Sequence, residues 1–246
     1  MTGNDSKWDK INQRYTHRRE SGRPGWTDDY THTEQEIRDF LARNRLSPAG
    51  TFLELGCGAG NRILVAARMG FEAFGVDQAR DGIAWASAKA EEAGVRVDFR
   101  VGDIVTLKDY HSNFFDVVYD GGVLYMITGY AARKNCFQNI ARVLKSGGRL
   151  YATAHLVDAA FTGRHEMAPG SWYDPSGRFS TVGDEPAYYF STEEELRGEI
   201  EGADLVILTM EKILKKDPEH PFCAGSLWAD ARKPDVYVSP NRSRLS

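Results

Sequence analysis

Residues 52–61 read FLELGCGAGN, and this stretch decides the fold class. An apolar run that carries one acidic residue, Glu54, is followed by three glycines at alternate positions, Gly56, Gly58 and Gly60. The pattern is typical of a buried strand that meets a helix across a tight turn, where glycine lets the main chain turn sharply and approach a ligand. The dinucleotide-binding pattern G-x-G-x-x-G is not met, because Asn61 stands where its last glycine would fall.

Length and composition limit the classes of protein to which this chain can belong. With 246 residues, 41% of them hydrophobic, the chain can bury the core of one α/β domain with extensions. Lys and Arg total 31 against 35 Asp and Glu, without a basic block, so we expect no nucleic-acid partner. No apolar run approaches the roughly 18 residues of a membrane span, and residues 1–20 are polar, unlike a signal peptide.

The cysteines and histidines point to a reducing compartment without a bound metal. The three cysteines are widely separated and odd in number, which does not favour a disulfide framework. The six histidines show no metal-binding spacing, and C-x-x-C is absent. We therefore expect a cytoplasmic protein with no metal site and no membrane partner.

From residue 51 onward, strand and helix patterns alternate. Strands are predicted at 51–55, 71–77, 95–101, 114–120 and 149–155, and helices at 33–44, 61–69, 79–93, 131–144 and 192–201. Ser191 with Glu194 forms the expected capping box of the last helix. Residues 204–214 and 226–233 follow as two strands with no helix between them, which indicates an antiparallel pair. The prediction is an α/β, seven-stranded, mostly parallel sheet with helices on both faces and an antiparallel pair at its edge.

Three segments flank or interrupt this regular order. Residues 1–32 are polar but carry large aromatic side chains, and we interpret them as an amino-terminal lid or extension of the domain at 33–233. Within that domain, residues 156–190 break the alternation with glycine, proline and aromatic residues and are predicted to be a substrate-side insertion. Residues 234–246 are a polar tail.

Acidic residues mark the carboxyl ends of the predicted strands, where ligands bind in open parallel sheets. Asp77, Asp103 and Asp120 each end or follow a strand. Asp77 lies about twenty residues beyond the first glycine, where a carboxylate can accept hydrogen bonds from both hydroxyls of a ribose. A ribose belongs to nicotinamide cofactors and to S-adenosylmethionine alike, so Asp77 does not separate them.

The E-x-G-x-G-x-G pattern, with the order of elements over residues 51–153, resembles the class I S-adenosylmethionine-dependent methyltransferases. A looser resemblance is to the small-molecule methyltransferases of the thiopurine and tellurite-resistance type. The resemblance implies a Rossmann-like fold, S-adenosylmethionine as cofactor and S-adenosylhomocysteine as product. It also places Asp103 at the adenine amine, Ile104 at the adenine ring and Asp120 beside the methionine part. The implied cofactor-binding residues are Glu54, Gly56, Cys57, Gly58, Gly60, Asp77, Gln78, Asp103, Ile104, Asp120 and Gly121.

The residues after Asp120 narrow the acceptor class. They read Gly-Gly-Val-Leu-Tyr, whereas the DNA and glutamine N-methylating members of the family carry a proline-aromatic sequence there. We therefore expect methyl transfer to an N, O or S atom of a small, planar or heteroatom-rich molecule. A protein or RNA methyltransferase and a non-catalytic S-adenosylmethionine-binding module remain as alternatives. A nicotinamide-dependent oxidoreductase would need the third glycine and a set such as Tyr-x-x-x-Lys, which the chain lacks.

Catalytic and substrate-binding candidates follow from this interpretation. A hydroxyl acceptor needs a general base, whereas an amine or thiolate demands little beyond positioning. The catalytic candidates are His155, Tyr15 and Tyr125. The aromatic candidates for substrate binding are Trp8, Trp26, Trp172, Tyr173 and Tyr188, whose ring faces can stack on a planar acceptor. The sequence does not predict the oligomeric state.

Overall fold

The structure, a computed structural model, describes residues 7–157, 165–168, 171–174, 179–182, 185–214 and 223–235. Its helices are α1 (Lys7–Glu20), α2 (Thr33–Arg43), α3 (Asn61–Met69), α4 (Arg80–Glu92), α5 (Tyr130–Val143) and α6 (Glu193–Glu201). Its strands are β1 (Thr51–Leu55), β2 (Glu72–Asp77), β3 (Val97–Val101), β4 (Phe115–Asp120), β5 (Leu144–Val157), β6 (His165–Ala168), β7 (Ser171–Asp174), β8 (Phe179–Val182), β9 (Glu185–Ser191), β10 (Val206–Leu214) and β11 (Cys223–Arg232). A short 3-10 helix, Leu124–Met126, lies between β4 and α5.

The predicted seven-stranded sheet is confirmed. Five parallel strands run in the order β3-β2-β1-β4-β5. Beyond β5, the strand β11 pairs antiparallel with β5, and β10 pairs antiparallel with β11. Because β1 lies between β2 and β4, the winding reverses at β1, and the carboxyl ends of β1, β2 and β4 meet at the point where open α/β sheets bind ligands.

Alternating side chains of the sheet build a core on each face. Leu53 of β1 packs on one face with Phe137 of α5, in a cluster that also includes α6 side chains. Its neighbour Phe52 packs on the other face with Phe40 of α2 and Ile63 of α3. Successive strand residues point to opposite faces, so one short strand contributes to both cores. The prediction of helices on both faces is confirmed.

The segment that follows β5 contains strands that the sequence did not predict. On one edge, β5 pairs with β4 as far as Tyr151 and with β9 from His155 onward, while β11 runs along the other edge from Arg149 to Val157. Consequently β9 lies beyond the carboxyl end of β4. The strands β6 to β9 form an antiparallel meander there. The aromatic, β-forming residues of 156–190 favour strands, and the interspersed glycine and proline residues hid the pattern.

The predicted start of α6 needs correction. The capping box of α6 consists of Thr192 and Glu195 rather than Ser191 and Glu194: the Glu195 N–H donates to Thr192 Oγ1 at 3.2 Å, and the Thr192 N–H donates to Glu195 Oε2 at 2.9 Å. The helix begins one residue later because Ser191 is buried and still paired with Leu156 in the sheet. No helix in the described ranges has the length and apolar character needed to cross a membrane.

Candidate active site

The turn between β1 and α3 forms the floor of the site. Gly56 and Gly58 have φ values of +65° and +48°, a left-handed backbone that other residues rarely adopt. Their surroundings exclude a side chain as well, because a Cβ added at Gly56 would overlap Val123 and one added at Gly58 would overlap the Tyr15 hydroxyl. The N–H groups of Gly56 and Cys57 donate to the carbonyl of Val76 at 2.8 and 3.1 Å, which ties the turn to β2.

Asp77 braces this turn from the end of β2. The Gly58 N–H donates to its Oδ2 at 2.9 Å, and the Ala79 N–H donates to its Oδ1 at 2.8 Å. Burial raises the pKa of the Asp77 carboxyl, and the backbone N–H groups oppose that rise. Asp77 also lines the cavity. A carboxylate has about four acceptor positions, so the two hydrogen bonds leave capacity for ligand hydroxyls.

Glu54 and Arg62 place one acidic and one basic side chain at the junction of β1 and α3. Glu54 is 2% exposed and its Oε2 accepts a hydrogen bond from the Ile63 N–H at 2.9 Å. Burial raises the pKa of Glu54 to about 8, although the Arg62 guanidinium and the Ile63 N–H oppose the rise. Arg62 Nη1 donates to the Gly121 carbonyl at 3.2 Å. Both side chains line the cavity, and sequence reasoning missed Arg62.

Asp103 orders the loop after β3. Its Oδ1 accepts hydrogen bonds from Gln78 Nε2 at 3.0 Å and from the Val105 N–H at 2.9 Å. The next two residues, Ile104 and Val105, line the cavity beside Gln78, whereas Asp103 itself is not part of the lining. The apolar pair offers a surface for a ring, and the assignment of Asp103 to an adenine amine stays a prediction.

Asp120 shapes the segment that follows β4. Its Oδ1 accepts from the N–H groups of Gly122, Val123 and Leu124 at 3.0, 2.8 and 3.2 Å. Its Oδ2 accepts from both the N–H and the hydroxyl of Thr153 on β5. The side chain is 1% exposed and does not line the cavity, although Gly121 and Gly122 do. Its place in the structure is therefore that of a brace beneath the site, with both oxygens engaged by protein donors.

An aromatic cluster stands where β5 and β9 meet. The ring of Tyr125, in the 3-10 helix, lies 4.1 Å from that of His155 and 5.7 Å from that of Tyr188, measured between centroids. His155 also stacks on Phe190 at 5.6 Å. Tyr125 lines the cavity, whereas His155 and Tyr188 are not in its lining. Burial raises the pKa of Tyr125, so its hydroxyl stays protonated at neutral pH.

The amino-terminal segment covers the site from the opposite side. Tyr15 of α1 is 5% exposed and its ring lies 5.4 Å from that of Trp26. Lys89 Nζ and Asn61 Nδ2 donate to the Pro24 carbonyl at 2.6 and 3.1 Å, which fixes the chain just before Trp26. Tyr15 and Trp26 line the cavity together with Tyr30, which the sequence prediction did not include.

The structure thus brings most of the sequence-predicted residues to one cavity. Those in the lining are Tyr15, Trp26, Glu54, Gly56, Cys57, Gly58, Asp77, Gln78, Ile104, Gly121 and Tyr125. Those outside the lining are Gly60, Asp103, Asp120, His155 and Tyr188. The side chains of Trp8, Trp172 and Tyr173 lie outside the described part of the chain. The lining also includes Met126, Ile127, Thr128 and Gly129, which were not predicted from the sequence. They directly follow Tyr125 in the chain, and Met126 and Ile127 add apolar side chains to the lining.

The side chains that line the cavity fit S-adenosylmethionine. Asp77 places a carboxylate in the lining, the group that ribose hydroxyls need, and Ile104 with Val105 places an apolar surface there of the kind that a purine needs. Arg62 supplies a cation and Glu54 a carboxyl group that can accept hydrogen bonds, which offers partners for the two polar ends of an amino acid. Within the described ranges, no three His, Cys, Asp or Glu side chains lie close enough together to hold a metal ion.

Sheet order, glycine turn and strand-end carboxylates together define the Rossmann-like class I methyltransferase fold. Residues 46–184 match the family model described as a methyltransferase domain. Since this match covers more than half of the chain, the protein belongs to that family of methyltransferase domains.

Known proteins agree with this assignment. The chain is 31% identical over 132 residues to the ubiquinone biosynthesis O-methyltransferase of Xanthomonas axonopodis pv. citri, covering 53% of this chain and 54% of that protein. The chain therefore spans about half the length of the curated relatives it matches. The CcbJ methyltransferase of Streptomyces caelestis superposes with a TM-score of 0.67 at 18% identity, over 94% of this chain and 100% of that one. The 1,6-didemethyltoxoflavin-N1-methyltransferase of Burkholderia thailandensis, solved with S-adenosylhomocysteine, gives 0.63 at 18% identity over 96% and 92%. At these identities the solved structures establish the fold alone.

Proposed function

We propose that this protein transfers a methyl group from S-adenosylmethionine to an N, O or S atom of a small, planar or heteroatom-rich molecule. One observation carries the proposal: a single cavity joins the strand-end groups Glu54, Asp77 and Gly121 to an aromatic wall containing Trp26 and Tyr125. The first set suits the cofactor and the second suits an acceptor. The relatives support both O- and N-methylation, since one is named for an O-methyl transfer and another for an N1-methyl transfer.

The cofactor supplies a methyl group on a sulfonium, which is transferred by in-line displacement as the bond to the acceptor atom forms and the bond to sulfur breaks. The chain's own task is to position the acceptor and to exclude water. The glycine turn and Asp77 provide a fixed floor, because the backbone N–H of Gly58 and the Asp77 carboxylate already hold each other. Tyr15 and Trp26 cover the opposite side and limit the access of solvent.

The acceptor wall favours a flat, uncharged ring. Trp26, Tyr30 and Tyr125 contribute aromatic rings to the lining, and Met126 with Ile127 contributes aliphatic groups. Aromatic rings stack on one another with offset or edge contacts worth about 0.5–1.5 kcal/mol beyond their burial. Tyr188 supports this wall through its contact with Tyr125, in keeping with a substrate-side position for the insertion 156–190.

For a hydroxyl acceptor, Tyr125 and His155 form the proposed pair that handles the proton. Because burial keeps the Tyr125 hydroxyl protonated, that group acts as a hydrogen-bond donor that orients the acceptor. His155 lies behind it, with the two rings in contact, and its imidazole is the group that can accept a proton. Tyr15 is the third catalytic candidate, and its position against Gly58 suits a role in shaping the cofactor pocket.

We also propose that residues 1–32 act as a lid over the domain at 33–233. Packing of Tyr15 and Trp26 on the cavity supports this role. The free, buried thiols of Cys57 and Cys136 are in keeping with a cytoplasmic location. Limited proteolysis with and without S-adenosylhomocysteine tests the lid: we expect cleavage before Thr31 to slow when the ligand is present. Unchanged cleavage would contradict lid closure.

Binding measurements test the cofactor assignment directly. Calorimetry should show binding of S-adenosylhomocysteine and none of NAD. Asp77→Ala should weaken that binding by about 1.5–3 kcal/mol, because charge-assisted hydrogen bonds to the ribose are lost. Asp98→Ala, which removes an exposed carboxylate of β3, is the matched control and should leave affinity unchanged. Equal affinities for the two variants would refute the ribose assignment.

Turnover separates an enzyme from a binding module. A screen with methyl-labelled S-adenosylmethionine over heterocyclic, phenolic and thiol metabolites should find labelled product, and the Asp77→Ala variant should give less. Cofactor binding without turnover on any such metabolite would favour the non-catalytic module, and labelling of RNA or protein instead would overturn the small-molecule assignment.

A further inference from the structure

Arg62 has hydrogen-bonding capacity that the protein does not use. It is the second residue of α3, and its side chain is 24% exposed. Nη1 donates to the Gly121 carbonyl at 3.2 Å, and Nη2 lies 3.5 Å from Glu36 Oε2. Nε is buried and has no partner. A guanidinium carries five N–H donors in a planar fork, so more than half of them remain for a ligand.

Arg62 differs in charge from the rest of the cavity lining. Arg62 is the sole Lys or Arg side chain in the part of the cavity lining that the structure describes. Its ion pair with Glu36 is long, and Glu36 is 48% exposed, so the pair holds the guanidinium weakly. A ligand anion that enters the cavity therefore has one cation to meet.

Gly121 brings Arg62 and Glu54 together. Arg62 donates to the Gly121 carbonyl, and a Cβ placed on Gly121 would lie 2.7 Å from Glu54 Oε1. The guanidinium and the carboxylate thus flank the same residue at the end of β4. A guanidinium beside a carboxyl group offers partners for the carboxylate and the ammonium of an amino acid, which are separated by a single carbon.

The positions of the other lining residues indicate where each end of the cofactor would lie. Ile104 and Val105 after β3 suit the purine, and Asp77 at the end of β2 suits the ribose. Arg62 and Glu54 lie on the far side, where β1 and β4 end. We propose that Arg62 binds the α-carboxylate of the amino-acid part of the cofactor through its guanidinium fork. This inference rests on the proposed function and assigns a binding residue within the same site.

Ligands that differ only in the carboxylate provide the test. The full chain is titrated by calorimetry with S-adenosylhomocysteine and with its decarboxylated analogue, which keeps the purine, ribose, thioether and amino group. Arg62→Met should weaken binding of S-adenosylhomocysteine by about 10- to 100-fold, as expected for the loss of charge-assisted hydrogen bonds. Binding of the decarboxylated analogue should change by less than about 3-fold, and the native chain should prefer the carboxylated ligand.

Two further variants separate ligand binding from structure. Arg68→Met removes an exposed arginine of the same helix and should leave both affinities unchanged. Arg62→Lys keeps the charge but loses the planar fork, so it should weaken binding of the carboxylated ligand alone, by a smaller factor than Arg62→Met. Arg62→Lys also serves as the test variant if thermal melting shows that Arg62→Met does not fold.

The outcomes that overturn the inference are distinct. Equal weakening of both ligands would mean that Arg62 only supports the Gly121 loop. Unchanged affinities, or a native chain that does not distinguish the two ligands, would equally overturn it. A native chain that binds neither ligand would refute the proposed function itself, and the carboxylate assignment with it.

Discussion

Gly58 provides a direct test of how the amino-terminal helix and the glycine turn depend on each other. With φ at +48°, Gly58→Ala places a side chain in the left-handed region, which costs roughly 1–2 kcal/mol, partly offset by the loss of freedom in the unfolded chain. The new Cβ would also overlap the Tyr15 hydroxyl and lie 3.1 Å from Tyr15 Cζ. Overpacking of this kind adds about 1–3 kcal/mol. We expect a total destabilisation of about 2–4 kcal/mol.

Gly94→Ala isolates the backbone contribution. Gly94 has φ +65°, and a Cβ there would meet nothing within 4 Å, so this variant should lose only about 1 kcal/mol. Urea denaturation gives the unfolding free energies of both variants, of Tyr15→Phe and of the double variant Gly58→Ala with Tyr15→Phe. Removing the hydroxyl should recover about 1 kcal/mol in the double-mutant cycle. A Gly58→Ala variant no less stable than Gly94→Ala, with no coupling to Tyr15, would refute the packing argument.

Two buried ionisable side chains, Arg133 and Glu54, lead to further predictions. Arg133→Met should lower the unfolding free energy by about 3–5 kcal/mol, because it leaves Glu199 buried without its bidentate partner. Arg197→Met, the control, breaks only exposed ion pairs and should lower it by less than about 1 kcal/mol. Equal losses for the two variants in urea denaturation would contradict this. Burial raises the pKa of Glu54 from 4.5 to about 8 in the folded state. The folded state therefore binds the proton more tightly than the unfolded state does. The stability that this contributes is fully present below pH 4.5 and is lost as the pH rises to about 8. Glu54→Gln should therefore lose less stability than the native chain between pH 5 and pH 8.5, and identical pH dependences would rule out a protonated, buried Glu54.

The sequence predicted the sheet because its signals are local. An apolar run, a glycine turn and an amphipathic helix each depend on neighbouring residues, and the antiparallel pair followed from the lack of a helix between two late strands. The meander of β6 to β9 was missed because glycine and proline residues interrupt its strand pattern, and its place in the fold was missed because its partner, the end of β5 at His155, is distant in the chain. Nothing in residues 156–190 alone shows which strand edge is free to receive them.

The three strand-end aspartates show what position alone does not reveal. Asp77, Asp103 and Asp120 each accept a hydrogen bond from the N–H two residues further on, the local contact of an Asx turn. Spacing predicts that a carboxylate stands at each strand end, but it does not show whether the oxygens face a ligand or their own loop. Asp77 binds its own turn and also lines the cavity, whereas Asp103 and Asp120 bind their own loops and are not part of the lining.

The cavity's proposed cofactor half, at Glu54 and Asp77, and its proposed acceptor half, at Tyr125, are held by different means. Beneath the cofactor half, carboxylates bind backbone N–H groups of their own turns, so its shape is fixed by local hydrogen bonds. The acceptor half joins distant elements: Arg133 Nη1 donates to the Leu124 carbonyl at 2.6 Å, pairs with Glu199 of α6 and lies 4.4 Å from the Tyr189 ring of β9. One buried cation thus connects the 3-10 helix of Tyr125 to the meander. Under the proposed function, substitutions in those elements should reshape the acceptor wall without touching the turns proposed to hold the cofactor, so we expect acceptor specificity to vary while cofactor binding is retained.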